Sequence, residues 1–125
     1  MDNEEILAFV DKAKVKLKHA KILYEIQGYS DCVTLSYYSM YLSAKALLLK
    51  KGVNIPKSHQ ELIKRFSLEY VHNDDFEYVV YKYLASTQTL REEADYSAFD
   101  SIDEKLAKQR IMQAEKFLKE AERFL

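Results

Sequence analysis

A chain of 125 residues suits one compact domain that can bury a core without disulfides or metals. Its formal net charge of −1 gives no overall field that would attract nucleic acid or anionic membrane, and no apolar run approaches the roughly 20 residues that span a bilayer. Two glycines and one proline are few, and both glycines stand where a helix is expected to stop, which favours an all-helical protein.

The cysteine content and the N-terminus indicate the compartment. Cys32 is the only cysteine, so no disulfide can form within the chain, as expected in a reducing cytosol. The N-terminus is acidic and lacks the basic-then-apolar order of a signal peptide. We therefore expect a cytoplasmic protein that does not associate with membranes.

Two long helices are predicted in the first half of the chain. Residues 3–27 carry one apolar stripe at three-four spacing and end before Gly28. Residues 31–51 follow, with Ser30 as the predicted N-cap and Gly52 after the helix, and they are apolar on most sides. A small bundle usually leaves one face of each helix exposed. We therefore expect this second helix to pack against a second copy of the chain, with the interface formed by Tyr37, Tyr38, Tyr41 and Lys45.

Three capping signals open the later helices. Ser58 with Glu61 predicts a short helix reaching Phe66, the stretch beginning at Asp74 predicts the start of a fourth helix, and Ser101 predicts the start of a fifth. Because the connections are short, sequential helices are expected to run antiparallel. The predicted fold is all-α, an up-and-down four-helix bundle with one extra short helix, and residues 1–125 form a single domain.

A polar stripe near the end of the fourth helix is the candidate site. Arg91 and Asp95 are four residues apart and share a helix face, with Thr87 and Gln88 one turn earlier. The pair could be a simple intrahelical ion pair on the surface. Alternatively, Arg91 could offer its planar fork to a phosphate in a cleft at a dimer interface.

Other chemistry has weaker support in the sequence. His19, His59 and His72 are far apart and lack the Glu-x-x-His spacing of metal-binding bundles, so no metal and no cofactor are expected. Cys32 opens an apolar helix and is interpreted as a buried, inert thiol. The clustered tyrosines favour packing and interface roles over stacking on bases, and the lysines of the first helix favour a solvated face.

The order of several motifs resembles a known family. The second helix carries Tyr37-Tyr38-Ser39-Met40 and then Ala46-Leu47-Leu48, and Ser58-His59, Arg91 through Tyr96 and a final helix with Ala114 to Leu118 follow. This succession, over nearly the whole chain, resembles the HEPN family in its small stand-alone prokaryotic form.

The resemblance implies a helical bundle that forms a homodimer. It also implies a partner from a neighbouring gene, a minimal nucleotidyltransferase, often in a toxin–antitoxin pair. Active members are metal-independent RNases that use an Arg followed, after four to six residues, by a His at the dimer cleft. The His would move a proton from the ribose 2′-hydroxyl while the Arg holds the phosphate.

The chain departs from that motif at the His. Four residues separate Arg91 from Tyr96, and no histidine follows His72. A phenol titrates near pH 10 and is a poor base at neutral pH. Arg65 and His72 match the spacing, but they flank the wrong helix for the resembling topology.

Three hypotheses follow from this departure. The leading one is a non-catalytic or weakly catalytic dimeric module that associates with the nucleotidyltransferase or binds a nucleotide or RNA, with the cleft lined by Thr87, Gln88, Arg91, Asp95 and Tyr96. The alternative is an endoribonuclease, the toxin of a pair, in which Arg91 is the candidate catalytic residue. A third hypothesis makes Tyr96 the acceptor of a nucleotidyl group from the partner.

Overall fold

The chain folds into helices and connecting turns in this computed structural model, which describes residues 3–125. No strand occurs within that range, so the predicted all-α fold is confirmed. No helix in the same part of the chain is long and apolar enough to cross a membrane. A π-helical turn, Ser67–His72, continues the third helix and was not foreseen from the sequence. The five α-helices are α1 (Asn3–Glu25), α2 (Tyr29–Lys50), α3 (His59–Phe66), α4 (Tyr78–Tyr96) and α5 (Glu104–Glu122).

Contacts at one end of the molecule establish the up-and-down order of the long helices. Ser30 in the first turn of α2 donates to Asp100, just before α5, so α2 and α5 start together. Tyr24 near the end of α1 donates to Glu104 at the start of α5. The last turns of α4 reach the same end, where Arg91 lies over a ring of α2. α1 and α4 therefore run opposite to α2 and α5, as the short connections predicted.

α2 is the central helix of this bundle. It packs against α1, α3, α4 and α5 of its own chain, and Tyr37, Met40 and Leu47 have no exposed surface. The prediction that α2 is buried on most sides is therefore confirmed. The four neighbouring helices supply this burial, so the apolar pattern does not by itself require a second copy, and a dimer through α2 stays a prediction.

The turns that end the first two helices use different residues. Gly52 follows α2 with a φ of 75°, a left-handed conformation that glycine adopts without strain, so its predicted role as a helix stop is confirmed. After α1, however, Gln27 takes the left-handed conformation, with a φ of 65°. Gly28 has a φ of −84° and is the N-cap of α2, so the predicted cap, Ser30, lies inside that helix.

Only one of the other capping signals is used as predicted. Ser58 accepts the backbone N–H of Glu61 and caps α3. Asp74 does not open α4: its carboxylate pairs with Lys51 at 2.7 Å, and the helix begins four residues later. Asp103, rather than Ser101, caps α5 by accepting the backbone N–H of Leu106. The start of α5 was misplaced because two side chains that can cap a helix, Ser101 and Asp103, lie near it, whereas α4 has no side-chain cap from its own start.

Candidate functional site

Arg91 lies on α4 with its guanidinium over two tyrosine rings of α2. Its Nε and Nη2 donate to Gln88 Oε1 at 3.2 and 3.1 Å, and its Nη1 donates to Asp95 Oδ2 at 3.1 Å. The Cζ atom is 5.0 Å from the Tyr37 ring centroid and 5.7 Å from the Tyr38 ring centroid. The side chain is only 16% exposed. Packing on the two rings thus holds the planar guanidinium of Arg91 in one orientation at the surface of the bundle.

The same aromatic cluster holds a histidine. Tyr37 is fully buried, and its hydroxyl oxygen lies 2.7 Å from His59 Nδ1. The imidazole also stacks on Tyr41, with 4.1 Å between ring centroids and 15° between planes. Because the Ser58 cap sets the start of α3, it also sets where the next residue, His59, meets these rings.

The charges around His59 favour its neutral form. Partial burial is the main cause that lowers the pKa of the imidazole, and the positive charges of Arg91 and Lys45 lower it further. Glu92 opposes them by raising the pKa. Burial raises the pKa of the neighbouring Tyr37 phenol. Near pH 7 the cluster therefore combines one cation, Arg91, with a neutral imidazole and a neutral phenol.

A groove between α1 and α2 adjoins the cluster. Its volume is about 340 Å³, and Tyr38 and Tyr41 belong both to its wall and to the rings around His59. Lys12 and Lys16 of α1 also line it. The groove thus extends the arginine and histidine cluster with two ammonium groups and apolar ring surface. This combination suits an anionic, partly aromatic ligand.

The structure brings together some of the sequence-predicted site residues and separates others. Gln88, Arg91 and Asp95 are directly hydrogen-bonded to one another. Thr87 is fully buried, and its hydroxyl accepts from Arg110 of α5 rather than joining this network. Tyr96 ends α4 and is 91% exposed.

The residues predicted for a dimer interface differ in accessibility. Tyr37 has no exposed surface, so its ring is covered by its own chain, and a direct role for it in an interface stays a prediction. Tyr41 is nearly buried, whereas Tyr38 and Lys45 keep part of their surface accessible. Lys45 Nζ lies 4.5 Å from the centroid of the Phe9 ring of α1.

Two other sequence candidates fall outside the cluster. Arg65 donates to Glu69 across one turn at 2.9 Å, and exposed His72 ends the π-helical turn. Cys32 is buried as predicted, and burial raises the pKa of its thiol to about 11, which keeps it protonated and unreactive. No group of three metal-binding side chains occurs among the residues that the structure describes.

His59 is the site residue that sequence reasoning missed. It was interpreted as a residue that follows a helix cap and is accounted for by local hydrogen bonding, and no sequence pattern links it to Arg91, 32 positions away. The available signal was Tyr37, which stands among the apolar positions of α2 with a hydroxyl that needs a partner when buried. That partner comes from α3, and only the tertiary fold reveals it.

Comparisons with known proteins identify relatives of the chain over most of its length. The family model of the HEPN domain matches residues 6–124. A Methanocaldococcus jannaschii protein named a "putative toxin" is 40% identical over 92% of this chain and 84% of its own length. A second protein of that organism, also named a "putative toxin", is 30% identical over 97% of this chain and 82% of its own length.

A solved structure supports the same fold. A crystal structure of a Thermus thermophilus protein superposes with a TM-score of 0.81 and covers 97% of this chain and 98% of that protein. The two sequences are 15% identical, so this likeness concerns the arrangement of helices alone.

Proposed function

The chain belongs to the HEPN family, and we propose that it is a binding module that holds a phosphate-bearing ligand, a nucleotide or RNA, at the Arg91 surface without cutting it. The observation that carries this proposal is the arginine fork held over Tyr37 and Tyr38. The position where active relatives are expected to place their histidine holds Tyr96, which is 91% exposed. The anion-binding half of the site is therefore present without the expected base.

The arginine has donors to offer to a phosphate. A guanidinium carries five N–H groups, and the contacts to Gln88 and Asp95 occupy three of them. The Asp95 carboxylate is 57% exposed, so its pairing with Arg91 is weak and exchangeable. A phosphate replaces that carboxylate with a doubly charged, bidentate acceptor. The lysines of the adjoining groove add positive charge along the path of a longer ligand.

The direct test is ligand titration against a matched pair of variants. We expect wild-type protein to bind adenosine 5′-monophosphate or a single-stranded RNA oligonucleotide, and Arg91→Ala to weaken that binding about tenfold or more. Arg65→Ala is the control, because Arg65 also forms an i,i+4 ion pair but lies away from the rings. Equal binding by wild type and Arg91→Ala, or binding of neither probe, would contradict the proposal.

The proposed module acts as a homodimer that associates with a minimal nucleotidyltransferase. The accessible parts of Tyr38 and Lys45, which lie beside the proposed ligand surface, are where a second copy could contact the chain. Sedimentation of the purified chain at micromolar concentration should give the mass of a dimer. A monomer under those conditions would remove the dimer from the proposal while leaving ligand binding open to its own test.

An endoribonuclease is the second candidate, and the names of two relatives favour it. Both Methanocaldococcus jannaschii proteins are named "putative toxin", and Arg91 could stabilise the charged transition state of RNA cleavage. The test is RNA cleavage without metal by wild type and Arg91→Ala. Activity that disappears in the variant would favour the nuclease, whereas no activity in either protein would remove it for the RNAs tried.

Tyr96 is the proposed site of regulation by the partner. Its phenol is 91% exposed at the end of α4, one residue after Asp95, so a nucleotidyl group attached there would lie near the Arg91 surface. Incubation with the nucleotidyltransferase and ATP should add one nucleotidyl mass to wild type and none to Tyr96→Phe. The same added mass on both proteins would place the modification elsewhere.

A further inference from the structure

The Tyr37 hydroxyl is buried beside one imidazole nitrogen. Tyr37 has no exposed surface, and within residues 3–125 its hydroxyl has one hydrogen-bond partner, His59 Nδ1, at 2.7 Å. A buried hydroxyl whose proton has no acceptor destabilises the folded state. The phenol therefore donates its proton, and His59 Nδ1 accepts it.

This donation selects the tautomer of the imidazole. A neutral histidine carries one ring proton, and when Nδ1 accepts a hydrogen bond, that proton resides on Nε2. The structure records no hydrogen bond from Nε2 to any residue of the range 3–125. The Nε2–H group of His59 is thus available to donate to a ligand. In this tautomer Nε2 has no lone pair with which to accept a proton.

The donor and the arginine share one aromatic platform. Arg91 lies over Tyr37 and Tyr38, and the His59 ring lies 5.7 and 5.8 Å from the centroids of the same two rings. That both groups border the same two rings is the geometric reason for assigning them to one ligand. Resting on the function proposed above, we propose that His59 is a second phosphate-binding donor of the Arg91 site, held by Tyr37 in the Nε2–H tautomer and therefore unable to act as its general base.

The charged groups around His59 agree with a donor role. Arg91 and Lys45 disfavour a second positive charge on the ring, and Glu92, which favours one, already accepts a hydrogen bond from Gln88. Protonation at Nδ1 would also turn the Tyr37 hydroxyl into an acceptor and leave its own proton unpaired. Both effects favour the neutral imidazole with its proton on Nε2.

The free protein allows the tautomer to be tested without any ligand. Nitrogen-15 NMR of the histidine side chains should give a protonated-type shift for His59 Nε2 and an unprotonated-type shift for Nδ1 near pH 7.5. In Tyr37→Phe, which removes the phenolic donor, the two shifts should move toward those of a mixture of tautomers. A protonated Nδ1 in the wild type would overturn the inference.

Two amide substitutions test the donor itself. Asn places its amide where Nδ1 was and can still accept from Tyr37, but it has no group at the Nε2 position, whereas Gln extends an N–H₂ group toward that position. We expect His59→Asn to weaken binding of adenosine 5′-monophosphate or the RNA oligonucleotide about tenfold, and His59→Gln to stay within about threefold of wild type. Circular dichroism and thermal unfolding verify that both variants are folded.

The outcomes separate this inference from the proposed function. Loss of binding in Arg91→Ala with unchanged binding in His59→Asn would overturn the donor role and leave the Arg91 surface standing. Unchanged binding in both variants would overturn the proposed function and the inference together. A pH series gives a further reading, because the imidazolium retains its Nε2 proton. The affinity for the RNA oligonucleotide, whose phosphodiesters keep their single charge over this range, should therefore not fall between pH 7.5 and pH 5.5, whereas cleavage by a His59 base would decline.

Discussion

Arg91 of α4 and Arg110 of α5 show how the same side chain serves different ends. Arg91 contacts residues of its own helix and the rings of α2, and its carboxylate partner, Asp95, is largely exposed. Arg110 reaches from α5 to the hydroxyl groups of Ser86 and Thr87 at 2.9 and 3.0 Å, and burial lowers the pKa of its guanidinium.

The difference lies in whether the partner can be exchanged. Arg110 has no carboxylate within ion-pair distance in residues 3–125, and its Nε is buried without a partner. Its bonds join two helices, so losing them would leave the buried Thr87 hydroxyl unsatisfied. Arg91 could release Asp95 to water at little cost. Arg110 thus stabilises the bundle, whereas Arg91 remains open to a ligand.

The largest expected effect is on stability at Arg110. Arg110→Met should lower the free energy of unfolding by about 1–3 kcal/mol, because the buried Thr87 hydroxyl loses its donor. Arg91→Met should cost about 1 kcal/mol or less, since only a local ion pair and ring contacts are lost. Urea unfolding measures both, and adding Thr87→Val to Arg110→Met should recover part of the loss. A larger loss at Arg91 than at Arg110 would reverse the comparison.

The second effect, also on stability, is expected at the start of α4, where α5 supplies its cap. Glu120 is buried on α5 and accepts the backbone N–H of Glu77 at 2.8 Å, which caps α4 in the absence of a local side-chain cap. Glu120→Ala should lower the unfolding free energy by about 1–2 kcal/mol. The exposed neighbour Glu122 is the control, and Glu122→Ala should be nearly neutral. Similar losses in both variants would argue against the cap.

The third effect is a pH-dependent change in stability at His59, the neighbour of Arg91. The folded-state pKa of His59 is lowered below its unfolded value near 6.5 by burial and by Arg91. The unfolded chain therefore binds more protons below pH 6.5, and stability falls as the pH drops toward the folded-state pKa. The stability difference between wild type and His59→Gln should change over this window. A difference that is constant from pH 7.5 to pH 5 would contradict the lowered pKa.

The smallest expected effect concerns the exchangeable partner of Arg91. Asp95→Asn removes a carboxylate that competes with phosphate, so affinity for adenosine 5′-monophosphate should rise about two- to threefold. The unfolding free energy should fall by only a few tenths of a kcal/mol, about the value of an exposed i,i+4 pair. Titration calorimetry and urea unfolding measure the two changes. Weaker binding in Asp95→Asn would mean that the carboxylate positions Arg91 for the ligand.

The helices could be predicted because their signals are local. Apolar spacing identified α1 and α5, the scarcity of glycine and proline excluded sheets, and Ser58 lies three residues from the backbone N–H that it accepts. The start of α4 was misplaced because its cap, Glu120, lies 43 positions away on α5. Local patterns carry no information about such a partner.

For the same reason, only the part of the candidate site that lies within α4 could be predicted from the sequence. The contacts of Arg91 with Gln88 and Asp95 lie within one turn of a helix, so sequence spacing placed them together. The contacts among Arg91, Tyr37 and His59 join three different helices, and a motif that expects a histidine soon after the arginine does not include them. The all-round apolar pattern of α2 correctly predicted its burial, but such a pattern does not say which chain covers the helix.

The most direct measurement follows the two arginines during one titration. The side-chain Nε–H signals of Arg91 and Arg110 can be recorded by NMR while adenosine 5′-monophosphate or the RNA oligonucleotide is added. The account predicts that the Arg91 signal, together with the His59 ring signals, shifts in proportion to the bound fraction, while the Arg110 signal stays in place. A ligand that shifts Arg110 or the lysines of α5 and leaves Arg91 unchanged would contradict the account.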